Sequence, residues 1–487
     1  MSPQIQSSAI NQHYMTLPYQ VTNYESKGYE EINSYYYPRG PIKRVVSYFR
    51  GSGGLIMYTG NCEFYEFDHI ARDVLGRNSF ESSVQRTIFG GGKGFDLPTM
   101  MASSLGEVVE RAMGSLVSFE YDDKIVYGSY HTLTGQGYHC MHPAELPLFA
   151  DEQYATTGFQ YDKFTESTFT GWVKGCYLLD EEKIIWVPSQ IVMPFSMLHP
   201  KERMFCYATS GGLSTHITKE LAVYHGISEV LERDAVNVHW NTGHAPQIIE
   251  LDCIPNDYRV RRILAHAQTL VDDIKLYLHS TDIEGFYTVT AVGFMKGFNK
   301  YNYISGGGGG LSIEDAILSA LGEFAQAEGS SRIILNCPQW AYSERVKELF
   351  FVEEDVPVEK FDIFYKVIGH YGYPSHAKNL QWYLEGSGTV KLSELMENKK
   401  LSGHTKYEKI LNITKAHNLD PIFFDFTLPC LNIVRLHKVF IKGLTPPYLH
   451  SMPSYGVDRY YELPQKLNWK DRKLTFDDLT KSPQPYP

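Results

Sequence analysis

No CxxC pair occurs among the seven cysteines (Cys62, Cys140, Cys176, Cys206, Cys253, Cys337 and Cys430), which are scattered and odd in number. That excludes a disulfide framework or a cysteine-built zinc site and fits free thiols in a reducing, cytoplasmic setting. Long apolar runs are missing too, and the start, MSPQIQSSAINQHYM, has no basic segment leading into a hydrophobic one. Neither a signal peptide nor a membrane span is expected. Positive charge is in deficit, with 45 Lys and Arg against 56 Asp and Glu and a formal net charge of −11. The densest basic stretch, around Lys399, Lys400, Lys406 and Lys409, is interleaved with glutamate, so no nucleic-acid partner is expected. GxSxG, HExxH and a GxGxxG following a strand are all absent, which argues against a serine hydrolase, a zinc peptidase and a dinucleotide enzyme. The one Glu-x-x-His, Glu66 with His69, is too few for a carboxylate-bridged di-iron site.

What is present suits a folded enzyme. The chain has 487 residues, 43% of them hydrophobic and 21% charged, enough to bury a sizeable core. Its 35 tyrosines often alternate with polar residues, as in NSYYYPRG, NCEFYEFDH and GFNKYNYISG, a pattern that predicts strands. Half-buried strand faces are the expected place for them, with a peptide groove as the alternative for exposed ones. Residues 1–75 read as a strand-containing N-terminal lobe and 76–487 as the main domain. The expected class is α+β, with mixed sheets.

Three times a glycine cluster precedes a helix-length apolar-periodic segment bearing two acidic or amide residues three apart. The first is GGGKG (Gly90 to Gly94), followed by Glu107 and Glu110. The second is SGGLS (Ser210 to Ser214), followed by Glu229 and Glu232; the third is Gly306 to Gly310, followed by Glu323 and Gln326. Residues i and i+3 share a helix face, so each pair aims two oxygen ligands at one point. Carboxylates suit Mg²⁺, which commonly bridges protein carboxylates and phosphates. A glycine-rich turn entering a helix would offer phosphate free N–H groups, and Lys93 a charge. A lone ExxE is an ordinary solvated helix face; its near-repetition in EVVERA and EVLERDA is not.

The sequence closes on PQPYP, with Pro483, Pro485 and Pro487 at alternate positions. Proline at this spacing predicts an extended, stiff segment. Such a tail could deliver an α-carboxylate to a fixed place as a general base, the alternative being a frayed terminus.

Taken in order, GGGKG, the string from Ser103 through Glu107 and Glu110 to Arg111, EVLERDA, GEFAQAE and PxPxP resemble the YcaO family, from about residue 76 onward. The resemblance implies a mixed α/β sandwich in which the three units form one nucleotide cleft. It further implies ATP and Mg²⁺ as cofactors and cyclodehydration of Cys, Ser or Thr in a precursor peptide to azolines. On that likeness Glu107, Glu110, Glu229 and Glu232 are metal-associated. Lys93, Ser103, Ser210, Glu323, Gln326 and Arg332 contact the nucleotide, and Arg233 and the Pro487 carboxylate are catalytic. Asp425 and Arg435 match polar positions of a late strand. Gly211-Gly212 stands where many members have Asn-Gly. Ala327 and Glu328 occupy the place of an arginine for which Arg332 is the nearest substitute. The implied partners are a separate E1-like leader-binding protein, a second copy in a homodimer and, for aromatic azoles, an FMN-dependent azoline dehydrogenase. Thioamide or amidine formation and a non-catalytic peptide-binding scaffold stay open as alternatives.

Overall fold

The computed structural model describes residues 23–36, 42–49, 57–64, 89–194, 198–207, 209–298, 302–336, 352–361, 366–396 and 403–486. Glu66, His69, Cys337 and Pro487 lie outside the described residues. Among the described residues the fold is α+β, with three sheets and helices layered against them.

Helix α1 (Asn23–Ser34) comes first. Strands β1 (Ile42–Phe49), β2 (Tyr58–Phe64) and β3 (Phe89–Gly94) then form an antiparallel sheet in that order, leading into α2 (Leu97–Glu120). The residues before 75 thus supply two strands to the sheet that holds the first glycine cluster. Another sheet runs β4 (Val126–Gly128), β5 (Thr170–Tyr177), β13 (Pro421–Asp425), β14 (Arg435–Ile441), β7 (Leu213–His216), with β6 (Asp180–Pro188) paired to β5. Helix α3 (Lys219–Asn241) follows β7. The remaining sheet is ordered β11 (Tyr303–Gly310), β10 (Tyr287–Phe294), β9 (Lys275–Leu278), β8 (Gln247–Glu250), β12 (Thr389–Lys391), with α4 (Tyr258–Leu270) between β8 and β9 and α5 (Ile313–Asn336) after β11. Helices α6 (Lys406–Ala416) and α7 (Asp458–Lys466) complete the labelled elements.

The helix starts follow from their caps. Asp96 accepts from Thr99 N at 2.8 Å with Pro98 in the first turn of α2, and Thr218 accepts from Leu221 N at 3.2 Å ahead of α3. Helix α2 buries Leu105, Val108, Val109, Ala112 and Val117 in a core shared with Trp172, Ile422 and Leu436. Helix α5 buries Ile317, Leu321 and Phe324 against Val289, Ala291 and Tyr303.

The glycine clusters correct the sequence reading. The first and third are extended strands, not turns that open a helix. Alternate glycines of β3 press on the backbone of α2: a Cβ at Gly90, Gly92 or Gly94 would lie 2.4 Å from Val108 N, 2.0 Å from Ser104 Oγ or 2.7 Å from Met100 N. On β11, Gly306, Gly308 and Gly310 meet α5 in the same way, at 2.2 Å from Phe324 N, 2.4 Å from Ser319 Cβ and 2.8 Å from Ala316 N. Strand and helix therefore approach more closely than any side chain allows. Only Gly211-Gly212 is a turn, and Gly212, at φ 78°, takes a left-handed conformation that favours glycine.

Helix α1 is tied down by one carboxylate. Glu31 accepts from the backbone N–H groups of Asn432 (2.5 Å), Ile433 (2.8 Å) and Val434 (2.7 Å). Burial alone would raise its pKa, but these N–H groups outweigh it and hold the carboxyl below its ordinary value. A depressed carboxylate stabilises the fold above its unfolded pKa, and the contribution is lost as pH falls through the folded value. Wild type should thus exceed Glu31→Gln in stability at pH 7 by about 1–3 kcal/mol, the size of hydrogen bonds to a charged group. The gap should close on titration toward pH 3, as read by chemical denaturation. Gly92→Ala should destabilise by about 1–3 kcal/mol through the clash with α2. Gly106→Ala, where nothing lies within 4 Å of the added carbon, should not.

Candidate active site

The three units are built to one rule. Strands β3, β7 and β11 are each the edge of their sheet, so their outward N–H groups need partners. In each unit the first glutamate of the pair supplies one, to the strand itself or, for Gly212, to the turn that opens it. Glu107 accepts from Gly91 N at 2.8 Å, Glu229 from Gly212 N at 2.9 Å and Glu323 from Gly307 N at 3.2 Å, over sequence separations of 16, 17 and 16. The second residue of each pair reaches the next unit. Glu110 accepts from Thr215 N of β7 at 3.0 Å. Glu232 lies over Gly309 of β11, where a Cβ would come 3.3 Å from its own. Gln326 lies over Gly91 of β3, its Nε2 2.9 Å from where a Cβ would be. The units therefore close in a ring, and their polar faces meet in one cleft.

Charge in the cleft is dense. Glu107, Glu110, Glu229, Glu232 and Glu323 face four basic side chains, Lys93, Arg111, Arg233 and Lys438. Arg111 pairs with Glu107 at 2.5 Å, and Lys93 with Glu323 at 3.3 Å. Burial, then Glu229 and Glu107, push Glu110 up to about 8 against the Thr215 N–H. Burial also raises Glu229, although Arg233, the Gly212 N–H and Lys438 oppose it. Burial and then Glu323 raise Glu232 to about 7. For Glu323 burial is outweighed by Lys93, Arg233, Tyr486 and the Gly307 N–H, so its carboxyl stays below the ordinary value. The Tyr486 hydroxyl lies 2.8 Å from Glu232 Oε1 and 2.9 Å from Glu323 Oε2. A phenol has one proton to give, so the two carboxylates compete for it.

Of the residues picked out in the sequence, Lys93, Glu107, Glu110, Glu229, Glu232, Arg233, Glu323 and Gln326 come together here. Arg233 lies over the Tyr486 ring, 4.6 Å from its centroid. Ser103 is exposed on the helix face it shares with Glu107 and Glu110, and Ser210 borders the Gly211-Gly212 turn. Arg332 instead ion-pairs with Glu328 one turn back on α5. Arg435 Nη1 donates to the carbonyls of Asn432 and Val434, and Asp425 lies 3.3 Å from His437 Nδ1.

Two residues were not picked out. Lys438, buried in β14, donates to the carbonyls of Thr209 (2.9 Å) and Gly211 (2.6 Å) and so fixes the second glycine turn. Burial lowers its pKa to about 8 although Glu229 and Glu110 pull the other way. Its signal was a lone lysine inside the apolar run VRLHKVFI. Tyr486 is buried to 1% exposure; its signal was an aromatic between two prolines.

Among the described residues no three His, Cys, Asp or Glu side chains converge as a ready-made metal cage. The donor set nevertheless fits Mg²⁺, which takes one or two carboxylates from protein and the rest from phosphate and water. Five oxygen-ligand carboxylates, two of them raised by neighbouring carboxylates, form a site that added cations would relieve. No helix among the described residues is long and apolar enough to cross a membrane.

A search of curated proteins finds no match. Among solved structures the chain is similar to a heterocyclase in complex with substrate and cofactor (20% identity, TM-score 0.70), covering 94% of this chain and 57% of that one, so it spans little more than half of that heterocyclase. It is also similar to YcaO from Methanopyrus kandleri bound with AMPPCP and Mg²⁺ (18% identity, TM-score 0.55, 89% and 90% covered). A third is the E. coli microcin synthetase McbBCD complex with pro-MccB17 bound (12% identity, TM-score 0.56, 91% and 96% covered). At these identities the likeness is one of fold. The profile of the YcaO cyclodehydratase family, ATP- and Mg²⁺-binding, matches residues 91–445, which hold all three units except Gly90, and the chain belongs to that family.

Proposed function

We propose that this protein is an ATP- and Mg²⁺-dependent peptide cyclodehydratase, which closes azoline rings at Cys, Ser or Thr of a precursor peptide. The observation that carries this reading is the ring of three units, whose carboxylates and Lys93 share one cleft with the tail residue Tyr486. The substrate-bound heterocyclase and the microcin synthetase holding pro-MccB17 support a peptide substrate.

A peptide amide resists ring closure because its oxygen is a poor leaving group. In the reaction, the substrate thiol or hydroxyl adds to the preceding carbonyl carbon and gives up its proton. The resulting oxyanion takes the γ-phosphoryl group of the co-substrate ATP, releasing ADP. The amide nitrogen then loses its proton, its lone pair forms C=N, and the C–O bond breaks to release phosphate. Glu107, Glu110, Glu229 and Glu232 would hold Mg²⁺, which would neutralise charge on the phosphate being transferred. Lys93 and Arg233 stabilise charge as it grows on the transferred group. Gln326, Ser103 and Ser210 contact the nucleotide, with Arg332 at the margin. The carboxylate of Pro487, next in sequence to the seated Tyr486, accepts the proton from the attacking group. Residues 76–487 form the catalytic part, with 1–75 supplying α1, β1 and β2. A separate E1-like protein presents the leader, the chain pairs with a second copy, and a flavin dehydrogenase acts where azoles are made.

The test is incubation with ATP, Mg²⁺ and Cys/Ser/Thr-rich precursor peptides, with and without the E1-like partner, followed by mass spectrometry. Loss of one water per ring with stoichiometric phosphate is expected, falling at least about 100-fold in Glu110→Gln, the scale on which removing a charge-stabilising group acts. Phosphate without water loss would move the assignment to thioamide formation, in which sulfur replaces the amide oxygen; water loss that fragmentation places on an amine and a backbone amide, not on a Cys, Ser or Thr side chain, would move it to amidine formation, and neither signal would leave a scaffold. Deleting Pro487 alone should lower the cyclisation rate at saturating ATP by about 100-fold, as for loss of a general base; wild-type turnover in that variant would remove it from the mechanism.

A further inference from the structure

The segment before Pro487 is clamped residue by residue. The Thr480 carbonyl accepts from Tyr455 OH (2.6 Å), that of Ser482 from Trp240 Nε1 (2.9 Å), that of Pro483 from Tyr371 OH, and that of Pro485 from both Tyr303 OH (2.7 Å) and Ser305 Oγ (2.9 Å). Gln484 donates to Asn237 Oδ1 at 3.0 Å. These anchors come from α3, β11, the helix Lys366–Tyr371 and the loop before α7. They seat Tyr486 on β11, where Gly307 is left without room for a side chain: a Cβ there would fall 2.3 Å from Tyr486 Cζ and 2.6 Å from its hydroxyl. The ring carries Arg233 on its face, and the hydroxyl spans Glu232 of the second unit and Glu323 of the third. Gly307 also gives its N–H to Glu323 at 3.2 Å, so strand, ring and carboxylate form one closed contact.

We propose that Tyr486 is a positioning residue for the nucleotide site: its hydroxyl fixes the carboxylates of Glu232 and Glu323 relative to one another, and so couples docking of the tail to binding of the Mg²⁺–nucleotide. The inference rests on the nucleotide-site reading above and deepens it. Hydrogen-bond partners that orient a metal-associated carboxylate are worth about 10–100-fold in metal affinity. The coupling is reciprocal, because a tail that tightens nucleotide binding is tightened by the nucleotide to the same degree. Removal of residues 483–487 as a block therefore strips a nucleotide-site support along with the Pro487 carboxylate, and the two roles need separate variants.

Tyr486→Phe keeps the ring on Gly307 and under Arg233 and removes only the hydroxyl. Calorimetry of the full-length protein with Mg²⁺ and AMPPCP is expected to show affinity about 10–100-fold weaker than wild type. In turnover assays the KM for ATP should rise with kcat at saturating ATP largely kept. Hydrogen exchange of the peptide covering residues 480–487 should slow on adding Mg²⁺–AMPPCP in wild type, and much less in Tyr486→Phe. Tyr371→Phe, which removes a tail anchor away from the carboxylates, should leave nucleotide affinity within about threefold, since the other clamps remain. Wild-type affinity in Tyr486→Phe, or an equal loss in Tyr371→Phe, would overturn the inference while leaving the nucleotide site standing. Failure of the wild-type protein to bind Mg²⁺–AMPPCP at all would overturn the site reading itself.

Discussion

A backbone N–H on the open edge of a sheet must find an acceptor, and in this protein that acceptor is a glutamate. Gly91 and Gly307 present such a group within their strands and Gly212 presents one in the turn that opens β7, and Glu107, Glu229 and Glu323 accept it from the helix that follows. The separation of 16 or 17 residues is what a strand end, a tight connection and some three turns of helix take up. The constraint fixes the rotation of each helix about its axis. Once the first glutamate is on its own strand, the residue three further on faces the neighbouring unit. The ring of contacts among the units follows from three repetitions of one local bond. Edges that would otherwise invite further strand pairing are directed toward a cleft instead.

That geometry concentrates negative charge. Five carboxylates gather where burial favours their neutral forms, and the neighbours of Glu110 and Glu232 add to the effect. Arg111, Lys93, Arg233 and Lys438 offset part of it, and Lys438 does so while holding the glycine turn that brings Gly212 to Glu229. A site assembled for stability alone would have used apolar contacts, since buried ion pairs repay their desolvation poorly. The excess of carboxylate is intelligible as a demand for cations that arrive with a phosphate-bearing ligand.

Much of this was legible in the sequence. The helices, the paired glutamates and the recurrence of EVVERA in EVLERDA are local signals, and the folded chain brings those residues together. The glycine runs were misread because a glycine-rich turn and a strand pressed on both faces have the same composition. Deciding between them needs to know that α5 covers one side of Gly306, Gly308 and Gly310 while Tyr486 and Phe286 cover Gly307 and Gly309 from the other. Lys438 and Tyr486 were missed for a different reason. Their partners lie between 150 and 260 residues away in the chain, beyond the reach of any periodicity. Arg332 shows the opposite case, a long side chain whose ion pair, with Glu328, is local.

The tail shows how a flexible composition becomes a fixed part. Alternating prolines cannot donate backbone hydrogen bonds, but their carbonyls still accept. Buried tyrosines meet that need: Tyr303 and Tyr371 carry phenols into the interior, and each finds a proline carbonyl of the tail. This explains part of the chain's wealth of tyrosine, since a buried aromatic with one donor suits an extended partner that offers only acceptors. It also ties the last described residues to α3 and β11. These elements must already be in place for the tail to seat, so the contact between Tyr486 and the two carboxylates forms only on a folded second and third unit.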